Sequence, residues 1–214
     1  MRHIADERNG IRRDQSLWHA DPKLEQFVID LFEKTKPAQF VETGSHMGWT
    51  SAWIAERFPH LPVYTVEVTE HYYHLARENL APYPNASVSH DSSPDFLKKL
   101  FPLLSVGAAP TIFWLDAHWY PPVPLRKECE IVAQLDRYIC LLDDFFCYDP
   151  DFNGDIFDLP NTNERNCLQY VEDILGPKCW RPNYPAPTNA KGYGLFLKNV
   201  KYEPPSFMKE DVLK

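Results

Sequence analysis

The stretch QFVETGSHMGWT, residues 39–50, decides the fold of this chain. Its first part, Gln39–Thr43, is a short apolar run, and two glycines, Gly44 and Gly48, follow ahead of a segment with helical spacing. Because glycine permits a tight turn and a close backbone approach, this order predicts a buried strand, a glycine turn and a helix that starts close against the sheet. The dinucleotide fingerprint G-x-G-x-x-G is absent from the turn.

The rest of the chain repeats this alternation of strand and helix. A helix is predicted to begin at Asp21-Pro22 and to end before Pro37, because Asp is a common N-cap and Pro suits the first helical position. The predicted strands are Gln39–Thr43, Pro62–Val68, Ala86–His90, Thr111–Asp116, Tyr138–Asp143, Cys179–Tyr184 and Tyr193–Leu197. The central strands are apolar on both faces, which is typical of a parallel sheet covered by helices on both sides.

These elements predict an α/β protein built as a Rossmann-like three-layer α/β/α sandwich. We expect a mostly parallel seven-stranded sheet with an antiparallel C-terminal strand. A length of 214 residues with 44% hydrophobic content suits one core, formed by residues 37–200. Residues 1–36 are expected to be a helical extension packed on this domain, and residues 201–214 a C-terminal tail.

The net charge and the cysteine count indicate which substrates and which cellular location to expect. A formal net charge of −8 disfavours nucleic acid, because an acidic surface repels phosphate backbones, and it leaves a small-molecule acceptor as the expected substrate. Five cysteines, an odd number without a CxxC motif, predict reduced thiols and a cytoplasmic location. No secretory signal and no membrane-spanning run is visible, and whether the chain forms a homodimer is left open.

Carboxylates stand at the end of each predicted parallel strand. They are Glu42, Glu67, Asp91, Asp116, Asp143 and Asp144. Ligands of open α/β sheets bind beyond the carboxyl ends of the strands, so these side chains are expected to line the binding cleft. A row of acids is a poor phosphate cradle, and it favours a ligand that carries positive charge, hydroxyl groups and an amine.

Residues 39–145 resemble class I S-adenosylmethionine-dependent methyltransferases, whose first motif is acid-x-Gly-x-x-x-Gly, here Glu42, Gly44 and Gly48. The resemblance implies S-adenosylmethionine as the cofactor. The implied contacts to its methionine part are Glu42, Thr43, Gly44, Ser45, Gly48, Trp49 and Thr50. Glu67 would accept the ribose hydroxyls, an arrangement that dinucleotide enzymes share. Asp91 and Ser92 would lie at the adenine, and helix capping is their alternative role. Asp116 would also contact the cofactor.

The ends of the fourth and fifth strands also predict a metal site. Asp116, Asp143 and Asp144 are expected to converge, and three oxygens would hold one divalent cation such as Mg²⁺. This arrangement is similar to the metal-dependent catechol-type O-methyltransferases. The chain departs from them at Asp144, where that family has Asn, and at Trp119, where it has a catalytic Lys.

The predicted reaction is methyl transfer, with oxygen as the expected acceptor atom and nitrogen or carbon left open. His118 is the preferred general base and acts beside Asp116, because an imidazole with a near-neutral pKa can take the acceptor proton. Metal ligation or hydrogen bonding is an equal alternative for His118, and His46 is a weaker candidate base. Residues 145–160 are predicted to form an active-site loop. Two other functions stay open: a nicotinamide-dependent oxidoreductase and a non-catalytic S-adenosylmethionine-binding module.

Overall fold

The computed structural model describes residues 17–104, 107–117, 122–146, 167–185 and 191–212. A short turn, Leu17–Ala20, precedes the first helix. The helices are α1 Pro22–Thr35, α2 Trp49–Arg57, α3 Glu70–Leu80, α4 Ser93–Leu104, α5 Leu125–Val132 and α6 Leu168–Leu175. The strands are β1 Gln39–Thr43, β2 Val63–Glu67, β3 Ala86–His90, β4 Thr111–Leu115, β5 Tyr138–Leu142, β6 Lys178–Pro182, β7 Gly194–Lys198 and β8 Met208–Val212.

The strands form one sheet in the order β3-β2-β1-β4-β5-β7-β6-β8. Strands β1 to β5 pair in parallel, as their apolar sequences predicted. Strand β7 is antiparallel to β5 and to β6, and β6 is antiparallel to β8. The α/β class and the mostly parallel sheet with antiparallel pairing at its C-terminal end are therefore confirmed.

The strand count differs from the prediction, because the described residues form eight strands rather than seven. The extra strand, β8, lies in the segment that was expected to be a tail. Its sequence, MKEDV, shows no alternation of apolar and polar residues, and only Met208 is buried. An edge strand can be this polar because one of its sides has no neighbouring strand and faces solvent.

Helices cover both faces of the sheet and make the three-layer sandwich. On β4, Ile112 and Trp114 belong to the core under α1 and α2, whereas Phe113 and Leu115 belong to the core under α4, α5 and α6. Helix α3 packs beside α2 and against β3. This alternation follows from the two-residue period of a strand, and it explains why the central strands carry apolar residues on both faces.

Helix α1 is fixed at both ends by tyrosines from the C-terminal half of the chain. Asp21 caps it as predicted, and one carboxylate oxygen accepts the amides of the first turn. The other oxygen accepts the hydroxyl of Tyr184 at 2.5 Å. Nearer the other end, Tyr202 donates to Asp30 at 3.0 Å. The start of α1, and with it the turn that precedes it, is therefore held in one position on the domain.

Among the helices in the described part of the chain, none has the length and apolar character that crossing a membrane requires.

Candidate active site

The carboxyl ends of the parallel strands share one edge of the sheet. Beyond three of the strands the backbone ladder continues by one residue, and each time an aspartate amide donates to a neighbouring strand: Asp91 to Glu67 (3.2 Å), Asp116 to Thr43 (3.1 Å) and Asp143 to Leu115 (3.1 Å). The carboxylates that the sequence placed at strand ends therefore converge on a common edge, where open α/β sheets bind ligands.

The glycine loop after β1 depends on Gly44. Its φ is +77°, and a Cβ at this position would lie 2.5 Å from the carbonyl oxygen of Asp116. The amides of Gly44 and Ser45 both donate to the carbonyl of Val66, at 3.1 and 3.0 Å. Only a residue without a side chain fits between the ends of β1 and β4, so the predicted close backbone approach occurs here.

Gly48 lies at the start of α2, beside the next helix. Its φ is +71°, and an added Cβ would lie 3.1 Å from the Cβ of Ala76 on α3. The space that this glycine leaves therefore brings α2 close to the neighbouring helix α3, and α2 also contacts β2 and β3 of the sheet. The next residue, Trp49, is buried at the first position of α2.

Glu67 ends β2 beside the glycine loop, and its carboxylate is held there by two backbone amides. His46 donates to Oε2 and Thr69 donates to Oε1, both at 2.8 Å. Each carboxylate oxygen can accept more than one hydrogen bond, so the group retains acceptor capacity for a ligand. A fixed carboxylate at this position has the chemistry that a pair of ribose hydroxyls needs.

Ser45 supplies an independent observation in the same loop. Its hydroxyl oxygen is buried and has no hydrogen-bond partner within the described residues. Buried hydroxyls are normally hydrogen-bonded, so a polar group that is absent from the protein itself would complete this one. The amino acid end of S-adenosylmethionine carries such groups, and the loop residues therefore fit this cofactor.

Glu42 lies beneath the loop in the protein interior. Its Oε2 accepts the hydroxyls of Ser51 at 2.6 Å and Thr65 at 2.9 Å. Burial raises the pKa of Glu42 to about 7, although hydrogen bonds from Ser51, Thr65 and Thr50 lower it in part. Glu42 therefore ties β1 to β2 and α2 from below, and contact with a cofactor stays a prediction.

Asp91 and Ser92 follow β3 at the outer end of the same edge. Lys99 donates to Asp91 Oδ2 at 2.5 Å, and Asp91 Oδ1 accepts the amide of Ser92 at 2.9 Å. The hydroxyl of Ser92 donates to Asp95 at 2.9 Å and accepts its amide at 3.4 Å, a capping arrangement for α4. Ser92 therefore takes the capping role, Asp91 is held by Lys99 and the Ser92 amide, and an adenine contact of either residue stays a prediction.

The acidic pair after β5 is occupied in a way that the sequence did not predict. His19, from the turn before α1, places Nε2 at 2.6 Å from Asp143 Oδ1 and 3.9 Å from Asp144 Oδ1. Lys191 approaches the other oxygen of Asp144, Oδ2, at 3.2 Å. Both carboxylates are buried. Two basic side chains therefore meet the negative charge that was expected to require a cation.

The pKa of His19 shows how strongly these groups interact. Burial alone would lower it, but the charge and hydrogen bond of Asp143, together with the charge of Asp144, raise it above the ordinary value. The imidazole is therefore held as a hydrogen-bond donor to Asp143 in the absence of another ligand.

The predicted metal ligands are brought together only in part. Within the described residues, the donor atoms of His19, Asp143 and Asp144 lie within 4.8 Å of one another, and Asp116 is not a member of this group. One imidazole nitrogen and two carboxylates form a donor set that fits a divalent cation. The predicted ligand set of three aspartates stays a prediction, and the donor group that the described residues bring together has His19 where the sequence placed Asp116.

His118, the predicted general base, lies outside the described residues, as does Trp119. Most of the predicted active-site loop, residues 147–160, also lies outside them. The base therefore stays a prediction. Asp116, two positions earlier, is described: its amide also lies 3.3 Å from the Thr43 hydroxyl, which places it beside the glycine loop.

The fold matches that of solved O-methyltransferases. An O-methyltransferase from Bacillus cereus, in complex with SAH, matches with a TM-score of 0.58 at 16% identity, over 85% of this chain and 82% of that one. TomG, a Streptomyces achromogenes O-methyltransferase of tomaymycin synthesis in complex with SAM, matches with a TM-score of 0.58 at 16% identity, over 92% of both chains.

The chain has the fold of these enzymes. At this level of identity the similarity concerns the fold, and the expected Rossmann-like architecture of class I methyltransferases is confirmed. No known family profile and no curated protein matches the sequence. The activity of this chain must therefore be argued from its own residues.

His19 and Lys191 are the site residues that sequence reasoning missed. His19 lies 124 positions from its partner Asp143, and Lys191 lies 47 positions from Asp144. Neither residue belongs to a motif or follows a predicted parallel strand. The one available signal was the strong helix start at Asp21-Pro22, because a firmly capped helix also fixes the residue just before it.

Proposed function

We propose that this chain is an S-adenosylmethionine-dependent methyltransferase that acts on a hydroxyl group of a small molecule. The observation that supports it most is the loop after β1. There Gly44 closes onto Asp116, Ser45 buries a hydroxyl without a partner in the described residues, and amides of the protein hold Glu67. The small-molecule acceptor and the cytoplasmic location belong to the same proposal, and they rest on the acidic charge and the cysteine pattern.

In this proposal, the residues along the carboxyl-end edge of the sheet have different roles. The loop and Glu67 hold the cofactor, and the segment at Asp116 separates it from the acidic pair after β5. The sulfonium methyl group is already electrophilic, so the protein mainly aligns an acceptor oxygen in line with it. A divalent cation, when bound, would lower the pKa of the acceptor hydroxyl. His118 stays the preferred residue to take the acceptor proton.

Glu67 offers the sharpest test of the cofactor site. We expect Glu67→Ala to weaken binding of S-adenosylmethionine by about 1–3 kcal/mol, the usual cost of losing a charged hydrogen-bond partner. Titration calorimetry with S-adenosylmethionine and with its demethylated product measures this. The matched control is Glu70→Ala, which removes an exposed carboxylate three residues away at the start of α3. If wild type and Glu67→Ala bind S-adenosylmethionine with equal affinity, Glu67 does not bind the ribose hydroxyls.

Turnover separates an enzyme from a binding module. Labelled S-adenosylmethionine, incubated with the full chain and a panel of hydroxylated acceptors, should transfer its methyl group to at least one of them. Tight cofactor binding without transfer to any acceptor would favour the non-catalytic module. Binding of a nicotinamide dinucleotide in place of S-adenosylmethionine would favour the oxidoreductase instead.

A further inference from the structure

We propose that His19, Asp143 and Asp144 form a binding site for a divalent transition-type cation, such as Zn²⁺ or Co²⁺. The third ligand of this site is the imidazole nitrogen of His19, in the turn before α1, and not a carboxylate oxygen of Asp116 as the sequence predicted. The position of this metal site in the acceptor cleft rests on the proposed function. The binding of a metal ion to these three residues does not. The site differs from an all-carboxylate magnesium site in its ligands, in the cation it prefers and in the segment that it fixes.

The geometry of the three donors supports one shared ion. His19 Nε2 lies 2.6 Å from Asp143 Oδ1 and 3.9 Å from Asp144 Oδ1, so all three atoms surround the same small volume. The two carboxylates are almost fully buried, at 3% and 6% exposed. Buried carboxylates are costly unless they are paired or coordinate a metal, and a cation between these three donor atoms would meet the charge of both carboxylates at once.

Lys191 orients Asp144 and leaves one oxygen directed at the site. Its ammonium lies 3.2 Å from Oδ2, while Oδ1 is the oxygen that faces His19. A basic side chain on the outer oxygen of a ligating carboxylate is the usual outer-shell arrangement, because it fixes the ligand without occupying the position of the ion. Lys191 is therefore a positioning residue in this proposal.

The chain holds His19 rigidly in place. Trp18, His19 and Ala20 all have positive φ, between 50° and 55°, which is costly for residues that carry a Cβ. Trp18 anchors the turn from one side, because its buried indole packs edge-to-face on Trp53 at 5.5 Å and Trp114 at 5.0 Å. The capped start of α1 anchors it from the other side. A ligand fixed in this way loses little freedom when it binds an ion.

The imidazole determines which cation the site prefers. Mg²⁺ and Ca²⁺ favour sites made of oxygen atoms, whereas imidazole suits Zn²⁺ and its neighbours in the first transition row. A site with one nitrogen and two carboxylates should therefore bind Co²⁺ and Zn²⁺ well and Mg²⁺ weakly. Waters or the acceptor oxygen would complete the coordination, since the protein supplies three donors.

The test compares the two candidate third ligands directly. Metal-stripped full-length wild type, His19→Ala and Asp116→Ala are titrated with Co²⁺, Zn²⁺ and Mg²⁺, and binding is followed by calorimetry and by the visible absorption of Co²⁺. We expect His19→Ala to weaken Co²⁺ and Zn²⁺ binding by about 100-fold or more and to change Mg²⁺ binding little. Asp116→Ala should change Co²⁺ affinity by less than about 3-fold.

Two controls keep the result interpretable. His60→Ala removes an exposed imidazole from the turn between α2 and β2, and it should bind Co²⁺ as wild type does. His19→Gln keeps a hydrogen-bond donor for Asp143 but lacks the imidazole ligand, so it should lose Co²⁺ affinity even if His19→Ala folds poorly. Far-ultraviolet circular dichroism and thermal unfolding establish that each variant is folded.

Three outcomes would overturn the proposal: equal Co²⁺ affinity in wild type and a folded His19→Gln variant, loss of Co²⁺ binding in Asp116→Ala alone, or Mg²⁺ binding as tight as Co²⁺ binding. S-adenosylmethionine binding is measured on the same metal-stripped samples. If the protein binds S-adenosylmethionine but its metal affinity does not depend on His19, this inference is refuted and the proposed function is unaffected. If it binds the metal through His19 but does not bind S-adenosylmethionine, the proposed function is refuted and this inference is unaffected.

Discussion

The two halves of the candidate site are built in different ways. Around the glycine loop, Gly44, Glu67 and the amides that hold it come from one strand-turn-helix unit and the strand next to it, within 25 residues of sequence. Beyond β5, the acidic pair meets His19 from the N-terminal turn and Lys191 from the segment before β7. The first half is local in sequence, whereas the second half is assembled only when segments from far apart in the chain have packed on the sheet.

This difference indicates how the two halves should respond to change. A substitution in the glycine loop acts through backbone geometry and should affect the whole fold. A substitution around His19 acts through one helix end and should affect the acidic pair with little effect on the loop. The predictions below use variants that separate these two kinds of effect.

Gly44→Ala should have the largest effect. Its φ of +77° disfavours a side chain, and the new Cβ would meet the backbone of Asp116 at 2.5 Å. We expect a loss of about 3–5 kcal/mol in the free energy of unfolding, measured by urea denaturation, together with loss of S-adenosylmethionine binding.

The matched control for this change is Gly176→Ala. Gly176 has a φ of +100° and a ψ of 164°, and no atom of the described residues lies within 4 Å of an added Cβ. This backbone conformation is also costly for a residue with a Cβ, so the variant carries backbone strain without the close approach and should cost about 1–3 kcal/mol. If both variants lose the same stability, the contact between the loop and β4 contributes nothing beyond strain.

The raised pKa of Glu42, beneath the glycine loop, predicts that the stability of the fold depends on pH. Its pKa is raised to about 7 by burial, from 4.5 when unfolded, so the folded state binds this proton more tightly. The stability is then complete below about pH 4.5 and falls as the pH rises to about 7. At about 1.4 kcal/mol per pH unit, the loss from this group is about 3 kcal/mol at most.

Glu42→Gln isolates that contribution, because an amide oxygen can still accept the hydroxyls of Ser51 and Thr65 but does not titrate. Urea denaturation between pH 5 and pH 8, compared with wild type, should show a difference that grows with pH in favour of the variant. A constant difference across this range would contradict a neutral Glu42 in the folded protein.

Tyr184→Phe should have the smallest effect, and it acts on the other half. The variant removes the hydroxyl that donates to Asp21 at the capped start of α1, next to His19. We expect a loss of about 1.5–2 kcal/mol in the free energy of unfolding, because the acceptor is a buried carboxylate.

Tyr202→Phe is the control at the far end of the same helix, where the lost bond is to Asp30. Both variants should destabilise α1, but only Tyr184→Phe should also weaken Co²⁺ binding through His19, as calorimetry can measure. Equal metal affinity in the two variants would mean that the cap at Asp21 does not position the turn.

Much of the fold could be predicted from patterns within single elements. The apolar strands gave the parallel sheet, and Asp21-Pro22 gave the start of α1. The charged strand β8 escaped prediction because an edge strand needs only one buried residue, and Met208 alone carries no periodic signal. The turn at Gly48 was predicted, but its close contact with Ala76 was not, because the position of α3 depends on tertiary packing.

By itself, the sequence determined which residues end the parallel strands, and therefore that carboxylates and a glycine loop share one edge. A strand's side-chain period and a parallel sheet's polarity are enough to specify this. Only the tertiary structure decided that Glu42 turns inward, that the donor group after β5 includes His19 rather than Asp116, and that Lys191 contacts Asp144. Such contacts join residues far apart in the chain, and no local pattern encodes the packing that brings them within hydrogen-bonding distance.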